Sequence, residues 1–93
     1  DAQGQAVLNQ QAQFLQANPS ARVAIAGHTD ERGSREYNLA LGERRAQAAQ
    51  AYLATSGVSA SRMEAISYGE DQPADPGHDE SAWAKNRRAE ISY

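Results

Sequence analysis

Within the 93-residue chain, the segment Arg22 to Ala46 reads RVAIAGHTDERGSREYNLALGERRA, and its change of hydrophobic rhythm constrains the fold more than any other feature. Arg22 to Ala26 alternates, with Val23 and Ile25 on one face, as a half-buried strand does. Gly27 then opens a seven-residue polar loop that closes at Gly33, and Thr29 and Asp30 fall at the strand's carboxyl end. In α/β folds that edge is where ligands dock. A helix follows. Ser34 is suited to cap it by accepting from first-turn N–H groups, and Glu36 adds negative charge near the positive end of its dipole. Asn38, Leu41 and Arg45 occur at i, i+3 and i+7, so they share one helical face over roughly 10 Å.

The flanking segments read as scaffold. Residues 2–17 are predicted as a first helix with an apolar stripe of Val7, Leu8, Phe14 and Leu15, with Asp1 at its threshold and Asn18-Pro19-Ser20 as its stop. The second helix is predicted from Arg35 to about Thr55, with Ala48, Ala49, Tyr52 and Leu53 facing the core and Gly57 supplying the C-terminal turn. Met63 to Tyr68 is a strand candidate in which Ile66 and Tyr68 share a face. A loop with Gly69, Pro73, Pro76 and Gly77 precedes a short helical turn around Ser81 to Lys85. The last strand, Arg88 to Tyr93, alternates Ala89, Ile91 and Tyr93 against Glu90 and Ser92. Helix, strand, helix, strand, strand implies one α/β domain over residues 1–93, a two-layer sandwich with helices packed on a small mixed sheet.

The turn and the helix face together suggest a ligand chemistry. Asp30 precedes Arg45 by fifteen positions, close enough for the turn to fold its carboxylate back over the start of the helix. A small zwitterion suits the pair: its carboxylate forks onto Arg45 while its ammonium meets Asp30. Asn38 is able to read either group, because an amide both donates and accepts. Plainer roles compete. Asp30 is also a turn former whose side chain bonds the following backbone N–H groups, and Arg45 beside Arg44 is also a solvated helix face.

Other chemistries fit less well. With a net charge of −3 and its charges interspersed, the chain lacks the basic field of a nucleic-acid binder. It has no apolar run near the roughly 20 residues of a membrane span, and its lack of cysteine excludes disulfides and thiolate chemistry. His28-Thr29-Asp30 supplies two ligand types without further partners at metal-ligand spacing, so no metal or other cofactor is expected. His28, Asp30 and Ser34 hold the letters of a hydrolase triad, but no nucleophile elbow surrounds Ser34. Trp83 reads equally as a lid on the sheet's apolar edge or as a surface anchor for a protein partner, and Asn86, Arg87 and Arg88 read either as further donors near the pocket or as a charged strand entry that needs no ligand.

Several of these features occur together in order: Thr29-Asp30, Gly33, Asn38, Leu41 and Arg45-Ala46, then Tyr68-Gly-Glu70, Pro73, Gly77-His-Asp-Glu80 and Asn86-Arg-Arg-Ala89. This pattern resembles the OmpA-like C-terminal domains over essentially the whole chain, and its wording is nearest to the lipid-anchored, Tol-associated branch of that family. The resemblance implies a non-enzymatic module that grips the meso-diaminopimelate residue of peptidoglycan stem peptides. Asp30 would take the ammonium, Arg45 the carboxylate, and Thr29, Asn38 and Leu41 would line the pocket. It also implies TolB and other Tol or outer-membrane proteins as partners, and a place on the periplasmic face of the Gram-negative outer membrane through an upstream lipid anchor. A porin-linked or flagellar-stator anchor with the same pocket, or a small hydrolase, are the alternatives. Such domains begin with an aromatic-rich strand and a loop that adds to the pocket. Neither precedes the first helix here, so a fold of small margin is expected, or one that pairs its free sheet edge.

Overall fold

The computed structural model describes residues 2–93. The chain forms α1 (Ala2–Ala17), β1 (Val23–His28), α2 (Arg35–Thr55), a 3-10 turn (Ala60–Arg62), β2 (Met63–Gly69), α3 (Glu80–Asn86) and β3 (Arg88–Ser92). Asp1, expected at the threshold of α1, lies outside the described residues. β1 is the central strand, parallel to β2 and antiparallel to β3, so the sheet is mixed and the helices pack on it as the sequence implies. The core is one cluster in which Ala12 and Leu15 of α1 and Ala46, Ala49 and Leu53 of α2 meet Val23, Ile25, Val58 and Met63.

Three expectations need correction. First, Gly27 does not open the loop. It pairs with Ser67 on one side and Ala89 on the other, and β1 continues through His28. The reason lies in α2, which crosses the sheet here in backbone contact: a Cβ on Gly27 would sit 1.8 Å from the Gly42 carbonyl oxygen. Glycine at 27 thus serves close approach and not a turn. Second, Val7 and Phe14 do not join the core. They are 49% and 46% exposed, turned about 100° from the Leu8, Ala12 and Leu15 face, and Phe14 instead meets Tyr93 edge-on at 5.0 Å. Third, Ala48 is exposed and Tyr52 only half-buried, whereas Ala46 is fully buried. The inward line of α2 is Asn38, Gly42, Ala46, Ala49 and Leu53, spaced by fours and a three.

The helix ends follow local chemistry. Ser34 caps α2 by accepting from the Tyr37 N–H at 3.1 Å. At the far end Gly57 adopts φ +96°, Gly57 N–H donates to Ala54 and Val58 N–H donates to Leu53, both at 3.0 Å. That is the left-handed exit that satisfies the last carbonyls of a helix. Arg62 performs a related service for α1, donating to the carbonyls of Leu15 (2.8 Å), Asn18 (2.7 Å) and Ala21 (3.0 Å).

Candidate functional site

The contact of Gly27 with Gly42 places the first turns of α2 against the carboxyl end of β1, and the site forms at that junction. Thr29 continues from β1, its N–H donating to Gly69 at 2.9 Å and its hydroxyl to the Asp30 carbonyl at 3.0 Å. Thr29 and Asp30 are both buried, at 3% and 7% exposure, although they belong to a loop. A cleft of about 270 Å³ opens beside them, lined by Thr29, Asp30, Arg32, Tyr37, Asn38, Leu41 and Arg87. Four of the five residues singled out in the sequence therefore share one concavity. The fifth, Arg45, is not among the lining residues and donates from Nη1 to the His28 carbonyl at 2.6 Å.

Asp30 is the most heavily engaged group. Its Oδ1 accepts from the Arg32 backbone N–H at 3.0 Å and from Arg32 Nε at 3.3 Å, and its Oδ2 accepts from Arg32 Nη2 at 2.8 Å and Arg87 Nη1 at 3.0 Å. Those bonds, Arg32's first, hold its carboxyl well below the usual carboxylate range. The turn-forming role and the charged-site role thus coexist, one through the backbone N–H and the other through the guanidinium groups. Arg87 also reaches Glu80 Oε1 at 2.6 Å.

Arg45 is in the opposite situation. Half-buried, it makes no ion pair among the described residues, and burial followed by repulsion from Arg87 pulls its pKa down while Asp30 pulls it up. A guanidinium keeps its charge throughout, so the site holds a cation desolvated on one carbonyl oxygen. Asn38 is fully buried, and its Nδ2 donates to the Arg32 carbonyl at 3.1 Å and to Glu70 Oε1 at 3.0 Å. With both donors used, it offers the cleft an acceptor oxygen only.

The histidines and Trp83 hold the loops. His28 is 2% exposed, stacks on Tyr68 with ring centroids 5.6 Å apart, and has Nε2 at 3.6 Å from Glu90. Its Nδ1 has no hydrogen-bond partner among the described residues, and burial lowers its pKa, favouring the neutral ring. Ser34 is spent on the α2 cap, so His28, Asp30 and Ser34 are each engaged elsewhere and form no triad. Trp83 donates from Nε1 to Glu31 Oε1 at 2.9 Å, with the Arg32 guanidinium carbon 4.4 Å over its ring. It is therefore a clamp on the loop rather than a lid on the sheet's edge. Asn86 exchanges two 2.9 Å bonds with the Asp75 backbone, and Arg88 binds Glu90 and the Gln72 carbonyl, so of that trio only Arg87 reaches the cleft.

His78 completes the clamp, with Nδ1 at 2.7 Å from Glu31 Oε1, and this partner raises its pKa above the ordinary 6.5. A raised histidine pKa means that the pairing contributes fully below about 6.5 and is lost as pH rises through the raised value. NMR titration of His78 is expected to give a midpoint above that of a free histidine. Glu31→Gln should return the midpoint to the free value, and an unchanged midpoint in that variant would show that the pair does not form.

Of the lining residues, sequence reasoning missed Tyr37 and Arg32. For Arg32, its position two residues after a turn-forming Asp was the available signal, because an Asx turn brings that side chain back over its own anchor.

The OmpA family profile matches residues 1–87. The peptidoglycan-associated lipoprotein of Legionella pneumophila is 56% identical over 86 residues, covering 92% of this chain and 49% of that protein. The chain spans about half the length of the curated relatives it matches. Among solved structures, the peptidoglycan-associated lipoprotein from Burkholderia pseudomallei is similar with a TM-score of 0.93 and 49% identity, covering 98% of this chain and 77% of that one. The C-terminal domain of Helicobacter pylori MotB is similar with a TM-score of 0.84 and 25% identity, covering 94% and 68%. Fold, motif order and profile agree, and the chain belongs to the OmpA family.

Proposed function

We propose that residues 1–93 form a single non-enzymatic domain that binds peptidoglycan through the meso-diaminopimelate residue of its stem peptide. The observation that carries this reading is Arg45, a half-buried guanidinium without a carboxylate partner among the described residues, set at the same strand end as the buried carboxylate of Asp30. A ligand carboxylate on the remaining N–H groups of Arg45 offsets the cost of that burial. The ligand ammonium goes to Asp30, the Asn38 oxygen accepts a second hydrogen bond from it, and Thr29 and Leu41 shape the wall. The similarity to proteins named peptidoglycan-associated lipoproteins supports the same polymer.

In this reading the domain tethers the outer membrane to the cell wall from the periplasmic side as part of the Tol-Pal system, with a lipid anchor elsewhere in the protein and TolB as a partner. No helix among the described residues is long and apolar enough to cross a membrane. The likeness to MotB keeps a stator-type wall anchor as the second reading, with the same pocket on a different carrier.

Co-sedimentation tests the polymer specificity. The chain is expected to pellet with purified diaminopimelate-type sacculi and to stay in solution with lysine-type sacculi, which lack the second carboxylate. Equal pelleting with both would overturn the assignment of Arg45.

A further inference from the structure

We infer that Arg32 is a specificity-determining gate: its guanidinium occupies the place on Asp30 that a ligand ammonium needs, and only a cationic ligand group is able to displace it. The inference rests on the reading of Asp30 as the ammonium site and adds the residue that competes for it.

A carboxylate offers about four lone-pair positions. On Asp30 all of them are filled, three by Arg32 and one by Arg87. A cationic ligand therefore has to remove a protein donor. The Arg32 backbone N–H is fixed by the turn, which leaves the two guanidinium groups. Arg87 is the poorer candidate: its side chain is 31% exposed, and it is held from the other side by Glu80 at 2.6 Å. The Arg32 side chain is 51% exposed, belongs to a loop outside the helices and strands, and among the described residues forms its ion pair with Asp30 alone, Glu80 attracting it from farther away.

Arg32 also has somewhere to go. Its guanidinium already rests 4.4 Å from the centroid of the Trp83 ring, and Trp83 is pinned by Glu31 and not by Asp30. Once the fork to Asp30 opens, the cation keeps the indole face and gains water, so its release costs less than stripping a fully buried pair. A neutral or anionic ligand group in the same place would leave the buried Asp30 with one guanidinium, that of Arg87, where it now holds two. The gate therefore lowers the affinity for the correct ligand, by the fraction of protein with Arg32 displaced, and rejects ligands without an ammonium.

An NMR titration with a diaminopimelate-containing stem peptide reads both affinity and the arginine Nε–H signals. Arg32→Met, which keeps an unbranched stem on Trp83, is expected to bind about 3- to 10-fold tighter than the wild type, and Arg32→Lys to return toward wild-type affinity. In the wild type, the ligand should shift the Arg32 Nε–H signal while that of Arg87 stays in place, a readout that needs no variant. Equal or weaker binding by Arg32→Met, or a stationary Arg32 signal at saturation, would overturn the gate and leave the pocket reading standing. Absence of binding by both wild type and Arg32→Met would overturn both.

Discussion

Asp30→Ala is expected to abolish retention on diaminopimelate-type peptidoglycan, and Arg45→Ala to do the same. Removing one partner of a buried, charge-assisted contact costs about 2–5 kcal/mol, which is roughly 30- to several-thousand-fold in affinity. The two variants should differ in what else they change. Among the described residues Arg45 bonds the His28 carbonyl alone, whereas Asp30 collects Arg32 and Arg87 around the loop. Asp30→Ala is therefore expected to lower stability at neutral pH by about 1–2 kcal/mol, limited because Arg87 keeps Glu80 and Arg32 keeps Trp83. The sign of its pH dependence follows from its depressed pKa. A carboxylate depressed in the folded state stabilises above its ordinary value of 3.8 and loses that contribution as pH falls toward the folded value. Urea unfolding at neutral pH should separate the variant from the wild type, and the gap should close on acidification below 3.8. Retention of peptidoglycan binding by both variants would remove the site assignment.

Gly27→Ala is expected to be among the most damaging single substitutions in the chain. Its added methyl would lie 1.8 Å from the Gly42 carbonyl oxygen and 3.1 Å from the Ala46 nitrogen, both backbone atoms of α2 that no rotamer change moves aside. Relief requires α2 to lift from β1, opening the core around Ala46 and Leu53 and moving Asn38 and Arg45 away from the strand end. A cost of about 3 kcal/mol or more follows, equivalent for a domain of this size to a fall in melting temperature of about 12 °C or more. Gly42→Ala should be milder, since its added methyl meets the Ser67 hydroxyl, a side chain able to turn at the loss of its bond to Leu39, and approaches the Gly27 carbonyl oxygen only to 2.9 Å. Thermal unfolding of both variants provides the comparison. A melting temperature for Gly27→Ala within about 3 °C of wild type would contradict the close crossing of helix and strand.

Where hydrophobic contrast was strong, the fold was legible in the sequence. The alternation of Val23 and Ile25 and the Ser34 and Gly57 punctuation of α2 located their elements to within two residues. What escaped depended on residues with little or no side chain. Ala46 is buried and Ala48 exposed, but in the run RRAQAAQA both look alike to any measure of apolarity, and only the backbone approach at Gly42 decides which faces inward. Gly27 was misread as a loop opener for a related reason, because glycine marks both a turn and a close contact and sequence does not distinguish them. Phe14 and Val7 look like core residues from composition, yet the inward face of α1 is narrower than its apolar content.

The site divides along the same line. The residue types and their helical spacing place Thr29, Asp30, Asn38 and Leu41 around one cleft. The partners that each side chain already holds were not legible, because they depend on how two loops meet. Asn38 spends its donors on Arg32 and Glu70, Arg45 rests on a carbonyl outside the lining of the cleft, and Arg32 folds back onto Asp30. These contacts turn a list of suitable residues into a site with a defined polarity: a carboxylate screened by two cations, an acceptor oxygen, and a third cation that makes no ion pair among the described residues.

The most direct test is a calorimetric titration of the 93-residue chain with a stem peptide carrying meso-diaminopimelate, in parallel with one carrying lysine at that position. Both peptides present the side-chain ammonium, and only the first presents the second carboxylate that Arg45 would take. Saturable binding of the diaminopimelate peptide, with the lysine peptide weaker by about tenfold or more, is the expected result. Equal affinity for the two peptides, or no binding of either by protein shown to be folded, would contradict the zwitterion pocket.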